Sequence, residues 1–257
     1  MRILVLGGTA EGRAIAAAAV DAGFDVVSSL AGRTKQPVVP AGSVRVGGFG
    51  GAEGLAQFLR DEDIRAVINA THPFAAQMAR NAVAASQATG VPLVRLLRPS
   101  WVARDDNWIW VSSHAEAAVA AAANGGAVFL TVGRQHSLEY AEALAERDVV
   151  CRVAFAGELP WPTHWRVLEE RGPFTLDGER ALMRAHRIAV LVTKDAGGEH
   201  TAAKLDAARK LGVQVVMLRR SEVEGDIVSS VDEALAWLSS NVQRQGRESL
   251  PPRRRSL

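Results

Sequence analysis

The chain is short of cysteine and tyrosine and has no long apolar run. Cys151 is the only cysteine among 257 residues, which excludes a disulfide framework and a cysteine zinc site. Tyr140 is the only tyrosine and is followed four residues later by Leu144, so the Tyr-x-x-x-Lys pair of short-chain dehydrogenases is missing. Neither a Gly-x-x-x-x-Gly-Lys-Ser/Thr phosphate loop nor a Gly-x-Ser-x-Gly nucleophile elbow occurs. His114, His136, His164, His186 and His200 are scattered without metal-ligand spacing, so no metal is expected and each is placed at the surface or a helix end. No apolar stretch approaches the roughly 20 residues of a membrane span. The first residues enter a strand pattern at once, with no room for a signal peptide. A cytoplasmic protein without membrane contact is the expectation.

Excess charge is lacking too. The formal net charge is +2, and from Asn241 onward five arginines stand against one glutamate. Removing that +4 leaves a body of about −2, which offers no basic footprint for nucleic acid. Residues 241–257 are expected to form a disordered basic tail. What remains, 48% hydrophobic and 23% charged, is the composition of a soluble globular protein rich in alanine and valine.

The most informative stretch is Ile3-Leu4-Val5-Leu6-Gly7-Gly8-Thr9-Ala10-Glu11-Gly12-Arg13. An apolar strand ends in a glycine-rich turn that opens into a helical pattern, as where a backbone passes close to a pyrophosphate. The spacing is Gly7-x-Thr9-x-x-Gly12, so threonine replaces the middle glycine of the usual fingerprint. A tight strand–helix turn with no ligand would read the same way in isolation. The second strand sharpens the reading. Where an NAD-binding unit carries an acid for the ribose 2′-hydroxyl, this chain has Ser28 and Ser29, with Arg33 and Lys35 just beyond. Hydroxyls and a guanidinium suit a 2′-phosphate, which favours NADPH. The missing acid also counts against S-adenosylmethionine. Arg33 and Lys35 as solvated loop charges is the plainer alternative.

Strand-like and helical runs alternate throughout, which predicts an α/β protein of two doubly wound, Rossmann-like halves with parallel sheets and a ligand cleft between them. Strands are expected at 2–6, 24–29, 43–46, 66–69, 92–96, 108–111, 127–131, 149–153, 188–193 and 213–217. Helices are expected near 11–22, 52–61, 75–89, 115–123, 137–145, 178–186, 200–211 and 231–239. The breaker-rich segment from Arg98 to Trp110 reads as a hinge. The expected domains are therefore 1–110, binding NADPH, and 111–240, binding substrate.

Ligands of open α/β sheets collect beyond the carboxyl ends of the strands. Candidates there are Thr71 and His72 after the fourth strand, Gly133-Arg134 after the first strand of the second half, and Lys194-Asp195-Ala196-Gly197-Gly198 after another. His72 before Pro73 could simply cap its helix. Gly133-Arg134 could be a plain turn, and Lys194-Asp195 a surface ion pair of little worth. His72, Arg134, Lys194 and Arg219 are expected to line one cleft.

Together these motifs resemble the precorrin-6A reductase family of cobalamin biosynthesis. The likeness runs through Gly7–Arg13, Ser29-Leu30-Ala31-Gly32-Arg33, Ala70-Thr71-His72-Pro73-Phe74-Ala75, Thr131-Val132-Gly133-Arg134, Lys194–Gly198 with Lys204-Leu205-Asp206-Ala207-Ala208, and Val215–Arg220. It covers roughly residues 1–240. The resemblance implies hydride transfer from NADPH to a tetrapyrrole polycarboxylate, and a handover to neighbouring pathway enzymes. It implies cofactor contacts at Gly7, Gly8, Thr9, Ala10, Glu11, Gly12, Ser28, Ser29, Arg33, Thr71, Gly133 and Arg134. It implies substrate contacts at His72, Arg134, Lys194, Asp195, Gly197, Gly198 and Arg219, with His72 and Lys194 as the catalytic candidates. Solvent is a third candidate for the proton. Asn69 departs from the aspartate expected before Ala-Thr-His-Pro, and Ser221 from the proline expected after the paired arginines. Reduction of another anionic substrate, or NADP(H) sensing without catalysis, would use the same first turn.

Overall fold

The computed structural model describes residues 1–32, 38–103, 108–198, 201–222 and 224–248. The chain divides into two compact units, residues 1–98 with 222–257, and residues 99–221.

In unit 1 the strands β1 (Arg2–Leu6), β2 (Asp25–Leu30), β3 (Ser43–Val46), β4 (Ala66–Asn69), β5 (Leu93–Leu96) and β12 (Asp226–Val228) form one sheet in the order β12-β5-β4-β1-β2-β3. All its pairings are parallel. The continuous apolar run of β1 follows from burial on both faces, since successive side chains point to opposite sides. Ile3 and Val5 pack with Ile15, Ala16 and Ala19 of α1 (Ala10–Asp21) and with Ala234 and Leu238 of α8 (Val231–Glu248). Leu4 and Leu6 pack with Leu55 and Leu59 of α2 (Gly51–Asp61) and with Ala82 and Ala85 of α3 (Ala76–Thr89).

Unit 2 repeats the plan. The strands β6 (Trp108–Val111), β7 (Ala127–Leu130), β8 (Val149–Val153), β9 (Trp165–Glu169), β10 (Ile188–Lys194) and β11 (Gln214–Leu218) run β6-β11-β10-β7-β8-β9, again in parallel pairs. Its helices are α4 (His114–Ala123), α5 (Arg134–Ser137), α6 (Leu176–Ala185) and α7 (Ala203–Leu211), with a 3-10 turn at Leu138–Tyr140. Phe129, Leu191 and Met217 pack with Met183 of α6 and Leu205 of α7.

The two parallel sheets are as expected. Four details differ. Strand β6 belongs to the second sheet, and β12 with α8 returns to the first, so the chain passes between units twice, at Arg98/Pro99 and at Ser221/Glu222. That redraws the expected division at 110. Strands β9 and β12 escaped the sequence reading because β9 is interrupted by Arg166 and Glu169 and β12 is only three residues long. The expected helix 137–145 is the short α5 followed by the 3-10 turn. Helix α8 continues through Asn241 to Glu248, so the expected tail is helical in its first part, and residues 249–257 lie outside the described residues.

Candidate functional site

Each sheet has one strand whose neighbours leave in opposite topological directions, and ligands settle beyond the carboxyl ends at that point. In unit 1 it falls between β1 and β4, in unit 2 between β7 and β10. Several of the sequence candidates lie at these two places, while Arg219 follows β11 and Ser28 and Ser29 lie on β2.

At the β1/β4 point the glycine turn is stitched from both sides. Gly7 donates its N–H to the Ser29 carbonyl at 2.9 Å. Thr9 caps α1, its Oγ1 accepting from the Gly12 N–H at 3.0 Å. The same hydroxyl donates to the Ala70 carbonyl at 2.8 Å, which ties the turn to the end of β4. Threonine in place of the middle glycine thus serves as cap and latch. The glycines do different jobs. Gly8 has φ +111°, and a Cβ there would meet nothing within 4 Å, so its backbone borders open space. A Cβ on Gly12 would sit 3.3 Å from the Gly7 Cα and 3.4 Å from the Ala70 Cβ, so Gly12 lets α1 approach the strands. Such a turn fits a pyrophosphate: a glycine backbone borders the space, and the first amides of a twelve-residue helix lie beside it.

Neighbouring residues supply support. Glu11 pairs with Arg98 at 3.4 Å. Asn69, buried at the end of β4, accepts from the Thr71 N–H at 3.2 Å and the Thr71 hydroxyl at 2.7 Å. An amide does this as well as a carboxylate, which is why the departure from aspartate leaves the turn intact. His72 is exposed, and its Nδ1 accepts from the Phe74 N–H at 3.2 Å. The neutral ring therefore carries its proton on Nε2. Arg95, buried on β5, donates to the Pro73 carbonyl at 3.0 Å and fixes this turn from beneath.

Ser28 and Ser29 occupy adjacent positions on β2, so their side chains face opposite sides of the sheet. Ser28 is 1% exposed, and its hydroxyl donates to the Ala41 carbonyl at 3.5 Å. Arg33 and Lys35 lie outside the described residues. Arg45, directly opposite Ser29 across β2 and β3, was not foreseen. Its guanidinium donates to the Gly47 and Gly48 carbonyls at 2.7 Å each and lies 4.0 Å over the Phe49 ring. The glycine-rich segment after β3 is therefore held by side-chain donors. A single arginine on an edge strand gives no sequence signal for that role.

The β7/β10 point of unit 2 is built from charged side chains. Gly133 has φ +84°, and a Cβ on it would lie 3.6 Å from the Lys194 Nζ, so the two expected loops meet. Burial pushes the Lys194 ammonium down to about 8. Arg134 leans toward the loop after β8, 5.2 Å over the Phe155 ring and close to Gly157. Asp195 is buried and receives two hydrogen bonds from Arg220, at 2.9 and 3.1 Å, and one from the Trp101 N–H at 3.2 Å. Trp101 also donates from its indole to the Gly198 carbonyl at 3.2 Å. Asp195 is thus the anchor of the loop Gly197-Gly198, whose glycines both take positive φ. Arg219 is exposed and stacks 4.8 Å over Trp110. His200 lies outside the described residues.

Two further clusters were invisible in sequence because their members come from separate elements. Arg152 of β8 pairs with Glu179 of α6 at 2.7 Å and stacks 3.7 Å over Phe174. Nearby Lys204 is pushed down to about 7, by burial first and then by Arg152 and Lys194, with Glu179 opposing. The other cluster is His114 stacked on His136, with ring centroids 4.2 Å apart. His114 stands at a helix end, as expected, opening α4, and both residues are partly buried.

The family model described as "Precorrin-6x reductase CbiJ/CobK" matches residues 2–239. The chain belongs to this family. It is therefore an oxidoreductase of cobalamin biosynthesis. A precorrin-6A reductase of Rhodococcus erythropolis is 47% identical over 247 residues, covering 95% of this chain and 99% of the relative. One from Mycobacterium tuberculosis (strain CDC 1551 / Oshkosh) is 43% identical over 242 residues, covering 93% and 97%. A solved structure titled "CobK precorrin-6A reductase" superposes with a TM-score of 0.88 at 41% identity, covering 94% and 97%. No described helix is long and apolar enough to cross a membrane.

Proposed function

We propose that the chain reduces the precorrin-6A macrocycle to precorrin-6B, with NADPH as the reductant. The reading rests above all on the latched glycine turn at the β1/β4 point, in a chain whose relatives at 43–47% identity are named precorrin-6A reductases. Bound NADPH supplies the hydride.

Unit 1 is the cofactor unit. Gly7 and Gly8 let the backbone approach the pyrophosphate, while the first amides of α1, at Ala10 and Glu11, donate to it. Gly12 keeps the helix close, and Thr9 holds the turn to β4. Ser29 and Arg33 take the 2′-phosphate, with Ser28 holding the strand in place. Thr71 and the Nε2–H of His72 orient the nicotinamide end. Unit 2 is the substrate unit. Lys194 and Arg134 beside Gly133, with Arg219 and the Gly197–Gly198 amides, pair the carboxylates of the tetrapyrrole. Asp195 keeps that loop in shape and leaves substrate contact to its neighbours. Lys194 Nζ, ionising near neutral pH, is also matched to deliver a proton to the carbon next to the hydride acceptor. The enzyme works in the cytoplasm and hands its product to the next enzyme of the pathway.

Cofactor choice tests the reading. A tight pair with the 2′-phosphate is worth about 1.5–3 kcal/mol, or about ten- to a hundredfold in affinity. Fluorescence titration should show that preference for NADPH over NADH in the wild type and its loss in Arg33→Ala. Equal affinity of the wild type for both would overturn the assignment.

A further inference from the structure

The histidine pair of unit 2 takes no part in the reading above, yet it sits against Gly133. His136 follows that glycine in α5, and its N–H donates to the Gly133 carbonyl at 3.2 Å. His114, opening α4, stacks on His136 with the rings within 11° of parallel. The Nδ1 of His114 lies 2.8 Å from the hydroxyl of Tyr140, the sole tyrosine and fully buried. The Nδ1 of His136 is 2.7 Å from the Glu139 carboxylate. Lys194 approaches the same glycine from β10. Among the described residues neither Nε2 has a hydrogen-bond partner, so the arrangement offers both as the open ends of oriented rings.

Two ligand classes could use it. A metal ion would find His114, His136 and Glu139 within reach of one another. A coordinating imidazole places the metal in its own ring plane, and near-parallel rings stacked at 4.2 Å aim their lone pairs side by side rather than at one point. The Lys194 ammonium nearby disfavours a cation further. An anion faces neither objection. We propose that His114 and His136 extend the anion site around Gly133, and that a substrate carboxylate bound beside Lys194 draws a proton onto His114. The inference rests on unit 2 being the substrate unit.

The sign of the proton coupling follows from the groups that face His114. Among the described residues these are Tyr140 and Glu139 from the 3-10 turn, His136 from α5 and Lys194 from β10. Burial first, then His136 and Lys194, hold the ring down at about 4, with Glu139 opposing. His114 is therefore neutral at neutral pH. An incoming carboxylate favours the imidazolium and neutralises Lys194, so the ring's proton affinity rises on binding. Lys194, held at about 8, rises in the same way. Binding should take up protons in two separate windows. One begins above about 4 and belongs to His114, and the other begins above about 8 and belongs to Lys194.

Calorimetry of the full chain with NADPH separates the outcomes. Uroporphyrin III, a stable tetrapyrrole polycarboxylate, is titrated in buffers of different ionisation enthalpy at about pH 6 and about pH 8.5, on either side of Lys194. The wild type should take up a fraction of a proton in both conditions. His114→Gln, which keeps a polar partner for Tyr140, should lose the uptake at the lower pH and keep that at the higher. Lys194→Gln should do the reverse. Lower-pH uptake that survives His114→Gln overturns the inference while leaving unit 2 as the substrate unit. Absence of tetrapyrrole binding by the wild type overturns both. Stoichiometric zinc binding that is lost in His114→Gln and blocks uroporphyrin would make the pair a metal site and equally overturn the proposal.

Discussion

At the switch point of unit 1 the chain offers mainly backbone, and at that of unit 2 mainly charged side chains. Around Gly8 the open space is bordered by glycine and the first amides of α1, and Thr9 and Asn69 spend their polar atoms stitching loops together. Around Gly133 the chain places Lys194, Arg134, His136 and His114, and the loop after β10 holds a buried Asp195–Arg220 pair. On the proposed reading, the same topology carries two recognition strategies. A pyrophosphate is a constant group that amides can match. A macrocycle with several carboxylates needs cations on side chains of different reach.

The contrast can be broken at its most buried charge. Asp195→Ala removes the carboxylate that accepts two hydrogen bonds from Arg220, and loss of one partner of a buried pair costs about 3–5 kcal/mol. Thermal unfolding should show a large drop in stability, while Asp195→Asn, which keeps some acceptor capacity, should lose less. Gly12→Val attacks unit 1 instead. Its side chain would enter a space where even a Cβ is crowded, so NADPH binding should fall by about a hundredfold or more as the helix is forced outward. Gly7→Ala, whose Cβ would meet only ordinary contacts at 3.5 Å, should cost under about 1 kcal/mol. A larger loss for Gly7→Ala than for Gly12→Val would reverse the roles assigned to the two glycines.

The side-chain character of unit 2 should appear as pH dependence. If the Lys194 ammonium pairs the substrate, kcat/KM is level below about 8 and falls above it, because deprotonation there removes the charge. Lys194→Arg should carry the plateau to higher pH. Lys194→Ala should mainly raise KM if the group only pairs a carboxylate, and lower kcat if it also gives the proton. A modest effect is expected at the latch. Thr9→Val loses the cap and the Ala70 bond for about 1–2 kcal/mol, and Thr9→Ser should recover most of it in a melting experiment.

Much of this was legible in the sequence because it is local. Buried parallel strands read as apolar runs, and the glycine turn announces itself by following β1. The Asn69-Ala70-Thr71-His72 and Lys194–Gly198 loops were visible because each follows a strand. The edge strands β9 and β12 were not, since β9 is interrupted by Arg166 and Glu169 and β12 is only three residues long, whereas the edge strands β3 and β6 could be read. The return of the chain to the first sheet was hidden for the same reason. Clusters assembled from distant elements carry no spacing at all. His114, His136 and Tyr140 meet only after α4 and α5 have packed, and Arg152, Glu179 and Lys204 only after β8, α6 and α7 have. Asp195, grouped by sequence with the substrate residues, proves to be bonded to Arg220 and Trp101.

The central claim, that this chain moves a hydride from NADPH to the macrocycle, is tested most directly by isotope transfer. NADPH deuterated at each face of its nicotinamide C4 in turn is incubated with the enzyme and precorrin-6A, and the product mass is measured. One of the two labels should pass a single deuterium into precorrin-6B, and NADH should support far less product. Product without deuterium from either label, or no consumption of NADPH in the presence of precorrin-6A, would contradict the account.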